Sequence, residues 1–268
     1  KTTKGFTKAI QAAKNSDVIL FFGGEEAILS GEAHSRSNID LPGAQEQLLK
    51  ELAKTGKPIV LVIMAGRPIS MMNIIDDIDG VLMAWHPGTM GGEALHNIIF
   101  GICEAEGRLP VSWPKNAGQL PYFYNHKNTG RPAIPEEYVQ MDSIPIDAWQ
   151  SSLGNDSHYL DIGYTPHFPF GYGLSYTNFR YEDIVVSKEN IGFNEDFIIS
   201  ASITNTGNKD GKELVQLYIQ DVIGSITRPI RELKGFEHVF LKSGETKKVS
   251  FTISSKDLKF VNSNMRFA

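Results

Sequence analysis

Gly23-Gly-Glu-Glu-Ala-Ile-Leu-Ser-Gly-Glu-Ala-His-Ser-Arg-Ser-Asn-Ile-Asp-Leu-Pro-Gly-Ala-Gln45 is the stretch from which the rest of the chain can be read. It follows Val18-Ile-Leu-Phe-Phe22, a short continuous apolar run of the kind expected for a strand buried on both faces of a parallel sheet. Two glycines then free the backbone, and Pro42 suits the first position of a helix whose apolar side is Leu48, Leu49 and Leu52. The stretch is therefore a loop at the carboxyl end of a strand, where open α/β sheets place their ligand sites. It carries Glu25, Glu26 and Glu32 with His34 and Arg36, an unusual load for a connector. The plainer reading is that these are solvated surface charges, the usual state of such residues.

Downstream, the spacing predicts a helix from Gly43 to Lys54 stopped by Gly56, and a strand from Ile59 to Met64. The turn Ala65-Gly-Arg-Pro68 and a helix over Ser70 to Ile75 come next. A strand over Gly80 to Ala84, the turn Trp85 to Gly92 and a helix from Glu93 to Phe100 complete the series. Three βα units in succession imply a parallel sheet with helices outside and all three βα loops along one edge. That topology would bring Glu32, Arg67, Trp85 and His86 into one neighbourhood. Upstream, Lys1 to Lys14 reads as an amphipathic helix with Phe6, Ala9, Ile10 and Ala13 on one face. It is not a signal peptide, and a helix leading straight into the first strand suggests a chain that starts inside a domain.

From Arg108 to Pro169 the periodicity fails, and prolines, glycines and aromatics such as Trp113, Tyr122, Phe123, Tyr124 and Trp149 dominate. This is a structured connection rather than a flexible linker; residues 142–164 are expected to be surface loops. Beyond Ser175 the period becomes two. Phe197, Ile199, Ala201 and Ile203 alternate with small or polar residues, as do Val215, Leu217 and Ile219, and Val249, Phe251 and Ile253, the pattern of a β-sandwich. Asn205 to Gly211 and Lys242 to Glu245 supply its turns. The expected divisions are 1–114, an α/β domain; 115–174, a structured connection packing between domains; and 175–268, an all-β sandwich.

At 268 residues, 41% apolar and 21% charged, the chain has a globular profile. A net charge of -5 offers no basic stripe for nucleic acid, and no apolar run is long enough to cross a bilayer. Cys103, the only cysteine, has no intrachain partner. His34, His86 and His126 lack metal-ligand spacing, so neither metal nor cofactor is expected. No G-x-S-x-G elbow follows a strand, and Gly88, Gly91 and Gly92 do not complete a phosphate-binding fingerprint.

Gly24-Glu25, Glu32-Ala-His-Ser-Arg36, Asn38-Ile-Asp-Leu-Pro42 and Gln45 resemble the glutamate-bearing loop of glycoside hydrolase family 3, the β-glucosidase family. The resemblance continues in order through nearly the whole chain. It takes in Gly56 to Pro68, Trp85-His-Pro-Gly-Thr-Met-Gly-Gly-Glu-Ala-Leu95, Phe100-Gly, Gly107-Arg-Leu-Pro-Val-Ser-Trp-Pro114, Asn128-Thr-Gly-Arg-Pro132 and Phe168-Pro-Phe-Gly-Tyr-Gly-Leu-Ser-Tyr-Thr177. It implies a parallel-sheet α/β sandwich domain followed by an immunoglobulin-like sandwich of fibronectin type III-like kind, which family members usually continue past this point through a final hairpin, so that the sandwich is expected to be truncated.

The same resemblance implies retaining, exo-acting hydrolysis of a β-linked oligosaccharide or aryl glucoside, with glucose the simplest sugar. Retention needs two carboxyl groups roughly 5 to 5.5 Å apart. The family divides them: an aspartate nucleophile lies on an N-terminal barrel, and in many members the general acid/base is a glutamate on the α/β domain. No segment here resembles the barrel, so the chain by itself is expected to be inactive and to need the barrel of its own polypeptide as partner. Glu32 takes the acid/base position, with Glu25 as the runner-up. Arg36, Trp85 and His86 are the candidates for substrate binding. Arg36 either pins the loop or is exposed, and many relatives carry Asp where Ser35 precedes it. Trp85 either stacks on a sugar or packs in the core. A periplasmic or secreted location is the family expectation. The alternative is a noncatalytic carbohydrate-binding or docking module.

Overall fold

The structure is a computed structural model that describes residues 2–192 and 194–268. The chain forms two compact units. The first comprises the residues up to Phe100 with Ser112–Tyr122 and Pro166–Pro169, and the second Gly101–Val111, Phe123–Thr165 and Phe170–Ala268.

The first unit is built on a parallel sheet of β1 (Ile19–Gly24), β2 (Ile59–Met64) and β3 (Gly80–Met83) in that order, with helices α1 (Phe6–Lys14), α2 (Gln45–Ala53) and α3 (Gly91–Ile99) between and around the strands. The parallel α/β arrangement read from the three βα units is thus present. β2, in the centre, is the hydrophobic axis: Ile59, Leu61, Val62 and Ile63 have no solvent exposure. Its register aligns Ile19 with Ile59 and Gly24 with Met64, so the loops after the strands leave from one edge. α1 presents Phe6, Ala9, Ile10 and Ala13 as its covered side, as its spacing predicts. Lys1, included in the expected helix, lies outside the described residues, and the helix begins at Phe6 after the left-handed Gly5.

Three expectations are corrected. β1 is not buried on both faces, for Val18, Leu20 and Phe22 are 37–50% exposed. β1 sits at the edge of the sheet, and an apolar run does not disclose whether both faces find a cover. Pro42 is not the first helical residue; Gly43 takes φ 68° and delays the helix to Gln45. The helix expected over Ser70 to Ile75 is absent. Ser70 instead forms a parallel bridge with Asp40 and donates its amide to the Ile39 carbonyl at 2.8 Å, and only a short 3-10 turn, Ile75–Asp77, follows. The buried Ile69, Met71 and Ile74 fit a helical face equally well, so periodicity alone could not separate a turn from a helix.

The second unit holds two antiparallel sheets. One is β4 (Phe179–Val186), β5 (Phe197–Asn205) and β8 (Thr246–Ile253); the other is β6 (Gly211–Ile219) and β7 (Glu232–Leu241). Ile203 and Val249 from one and Val215, Val239 and Leu241 from the other form the core, with Phe179, Ala201 and Phe251 packed on it. Of the alternating residues read from sequence, Phe197, Ile203, Val215, Val249 and Ile253 are buried. Residues 260–268 pair as a small hairpin, with Phe260 and Ala268 exchanging main-chain hydrogen bonds. Within 123–165 there are 3-10 turns at Pro135–Glu137 and Met141–Ser143, and Ile146 and Trp149 are strongly exposed, as expected of surface loops.

Asn205 has no solvent exposure and holds the β5–β6 turn together. Its Oδ1 accepts from the Thr177 hydroxyl at 2.7 Å and from the Gly207 amide at 3.1 Å, while its Nδ2 donates to the carbonyls of Lys209 and Leu241. Asn205→Ala would strand these partners, the buried Thr177 hydroxyl and Leu241 carbonyl among them, at a cost of about 2–3 kcal/mol. The expected result is a matching loss of hydrogen-exchange protection at the β5 and β8 amides.

Candidate active site

The loop between β1 and α2 begins under strong constraint. Gly24 has φ 136°, and a Cβ there would collide with the Met64 main chain. At the last residue of β1, on its free edge, the Gln45 side chain substitutes for a neighbouring strand. Its Oε1 accepts from the Gly24 amide at 2.8 Å, and its Nε2 donates to the carbonyls of Gly24 at 2.9 Å and Pro42 at 3.0 Å. One amide side chain thus closes both ends of the loop.

Glu25 comes next, its amide continuing the sheet ladder to the Met64 carbonyl at 2.9 Å. Its side chain has no exposure and lies between two guanidinium groups. Arg36 Nη1 donates to Oε1 at 2.5 Å and Arg67 Nε to Oε2 at 3.1 Å. Each arginine also grips main chain. Arg36 Nη2 donates to the Asp40 carbonyl at 2.8 Å, so Arg36 pins the loop. Arg67 Nη2 donates to the carbonyls of Leu29 at 2.8 Å and His34 at 3.0 Å. With each oxygen engaged by a cation and the side chain shut off from solvent, Glu25 does not present its carboxylate to a ligand.

Between the two carbonyls held by Arg67 the chain makes a tight turn. The His34 amide donates to the Gly31 carbonyl at 3.1 Å, Ala33 has φ 63°, and Glu32 is the second residue, the sign pattern of a type II turn. An alanine in the left-handed region carries strain of roughly 1–2 kcal/mol. Glu32 is exposed at this tip and is unpaired among the described residues.

The loop after β2 is reached by the others at Gly66, where a Cβ would strike both Ser30 Oγ and His86 Nε2. Ser30 belongs to the loop after β1 and His86 to that after β3, so all three βα loops meet at Gly66, where any larger residue would have to displace those two side chains. His86 is exposed. Trp85 is half-buried, its ring 6.3 Å from that of Trp113 and tilted by 56°. Trp113 is 1% exposed and donates from Nε1 to the Ile69 carbonyl at 2.7 Å. Trp85 has φ 50°, an outlier for a bulky residue and the kind of strain that collects at ligand sites.

Reading the sequence missed Ser30, the meeting of the three loops at Gly66 and the grip of Arg67 on the tip. The Gly-Arg-Pro turn was visible, but the acceptors of Arg67 on the tip are main-chain oxygens, which no residue type announces. Among the described residues no three His, Cys, Asp or Glu side chains gather as metal ligands, and no helix is long and apolar enough to cross a membrane.

Comparison with known proteins adds a second line of observation. Residues 2–176 match the glycosyl hydrolase family 3 C-terminal domain, and residues 213–267 match the fibronectin type III-like domain. A periplasmic β-glucosidase of Salmonella typhimurium is 41% identical over 260 residues, covering 97% of this chain and 32% of the relative. A β-xylosidase of Formosa agariphila is 37% identical over 263 residues, covering 98% of this chain and 34% of the relative. The crystal structure of β-glucosidase from Listeria innocua in complex with glucose superposes with a TM-score of 0.90 at 35% identity, covering 100% of this chain and 35% of that one. The chain spans about a third of the length of the curated relatives it matches.

The unlike settings of the two glutamates predict unlike responses. Glu25→Gln removes the negative charge between two partly dehydrated guanidinium groups and should cost about 2–4 kcal/mol. Glu32→Gln should stay within about 0.5 kcal/mol of the parent, as for an exposed position. Urea unfolding of the two variants beside the parent checks both.

Proposed function

The chain belongs to glycoside hydrolase family 3, and from that premise we propose that it is the C-terminal part of a retaining, exo-acting β-glucosidase that removes terminal non-reducing β-D-glucosyl residues. Glu32 is its general acid/base, and the nucleophile lies on an N-terminal barrel of the same polypeptide. The observation that carries the choice of residue is the contrast between the two glutamates. A general acid must present a free carboxyl oxygen to the leaving group within hydrogen-bond reach. Glu25 has both oxygens occupied by Arg36 and Arg67, whereas Glu32 stands unpaired on the tip of the loop.

In the first step Glu32, protonated, gives its proton to the glycosidic oxygen as the barrel carboxylate attacks the anomeric carbon. In the second, as carboxylate, it takes a proton from the water that releases the sugar. Trp85 and His86 stand at the end of β3 as the candidates to receive the leaving group, Trp85 by its indole face. Arg36 contributes to binding through the shape of the loop it pins. The preference for glucose over xylose draws support from the β-glucosidases among the relatives and the glucose complex of the Listeria innocua enzyme, although a β-xylosidase also matches. The Salmonella relative's name supports a periplasmic or secreted location. Without the barrel carboxylate, these 268 residues are expected to show negligible turnover.

The test is made on the polypeptide that joins this chain to its barrel, with aryl β-glucosides as substrates. Glu32→Ala is expected to lower turnover by about 10²–10⁴-fold. Azide should restore it where the glucosyl-enzyme accumulates, with β-glucosyl azide as product. Normal turnover by Glu32→Ala would remove Glu32 from the mechanism. Sugar binding without hydrolysis by the unmodified protein would favour a noncatalytic module.

A further inference from the structure

We propose that Arg67 is a positioning residue whose bifurcated grip on the loop tip aims Glu32 at the leaving group, an inference that rests on the acid/base role assigned to Glu32. Arg67 Nη2 holds the carbonyls of Leu29 and His34, which flank Glu32 by three residues on one side and two on the other. Both acceptors lie within 3.0 Å of the same nitrogen, so the chain between them is pinched into the short turn that Gly31 and Ala33, at φ 150° and 63°, allow. The guanidinium is itself held in orientation, since its Nε donates to Glu25 Oε2 and the Glu25 side chain is wholly buried. Arg67 follows β2 by three residues, and β2 is the most buried strand of its sheet. The position of Glu32 is thereby referred to the rigid centre of the unit through a single side chain, across a loop whose other fastenings, Gln45, Arg36 and the Asp40–Ser70 bridge, lie towards its ends.

Arg67 touches neither reacting atoms nor the Glu32 carboxylate through any hydrogen bond or ion pair among the described residues. Its effect should therefore appear only in the step that needs the proton. Cleavage of a glucoside with a very good leaving group needs little protonation, whereas cleavage of an alkyl glucoside or a disaccharide needs it fully. Misplacing the acid by about 1 Å can cost on the order of 10²-fold in rate. Lysine keeps the positive charge beside Glu25 but loses the planar fork that reaches Glu25 and the tip together.

The experiment measures kcat/KM for β-glucosides of graded leaving-group ability, from 2,4-dinitrophenyl to alkyl, in the polypeptide that includes the barrel. Arg67→Met, Arg67→Lys and Glu32→Gln are compared with the parent, and folding is checked by circular dichroism and thermal melting. Both Arg67 variants are expected to lose about 10–100-fold on alkyl glucosides and less than about threefold on the dinitrophenyl glucoside. Their dependence on leaving-group pKa should steepen in the same direction as that of Glu32→Gln. If Arg67→Met does not fold, Arg67→Lys decides alone. A steep dependence for Glu32→Gln with an unchanged one for the folded Arg67 variants overturns the positioning role and leaves the acid/base assignment standing. An equal loss on every substrate overturns it too, because that is the mark of a merely structural arginine. If Glu32→Gln shows no steepening, the acid/base assignment fails, and the role proposed for Arg67 fails with it.

Discussion

The carboxylate of Glu25, buried between Arg36 and Arg67, is the interaction on which the first unit's working edge depends. A charge removed from water must be matched closely, and here each oxygen faces a different guanidinium. The matching fixes the two arginines, and from Nη2 each also donates to main-chain carbonyls, Arg36 to that of Asp40 and Arg67 to those of Leu29 and His34. One charged centre therefore sets the path of a loop, residues 25–44, that has almost no regular structure of its own. The loop's exit is then fastened by the bridge between Asp40 and Ser70 and by the burial of Ile39 and Leu41.

A comparable device organises the second unit. Residues 101–111 lie against β6 through charged groups rather than strand pairing. Glu104 Oε2 accepts from the Lys212 amide at 2.7 Å, Lys212 Nζ meets Glu106 at 2.9 Å, and Arg108 Nη2 meets Glu213 at 2.6 Å in a nearly buried pair. The other oxygen of Glu213 accepts from the Tyr181 hydroxyl of β4 at 2.8 Å, and burial together with this bond pushes the phenol well above its usual range. The Gly-Arg-Leu-Pro sequence at 107–110 has in this pair a structural purpose.

Much of the architecture was legible from local pattern. The bounds of β2 follow from a fully buried strand having the same composition on both faces, and the alternating residues fall within β5, β6 and β8 because a half-buried strand alternates. What failed was decided by long-range partners. Whether Val18, Leu20 and Phe22 are covered depends on what lies over them, and whether residues 70–75 coil depends on Ile39, thirty residues earlier in the chain. At the site, the acidic loop and the three-loop edge could be anticipated, since βα topology dictates them. The unlike environments of Glu25 and Glu32 could not, because both are glutamates in one loop and only the folded geometry decides which of them meets the arginines.

The hold of Arg67 on carbonyl oxygens has a consequence for how this region can diversify. Side-chain partners tie an anchor to particular residues, but every amino acid carries the same carbonyl. The side chains at the two held positions, Leu29 and His34, can therefore be exchanged without redesigning the clasp, so long as the turn at Gly31 and Ala33 is kept. A scaffold of this kind separates inheritance of the mounting from variation of the mounted part.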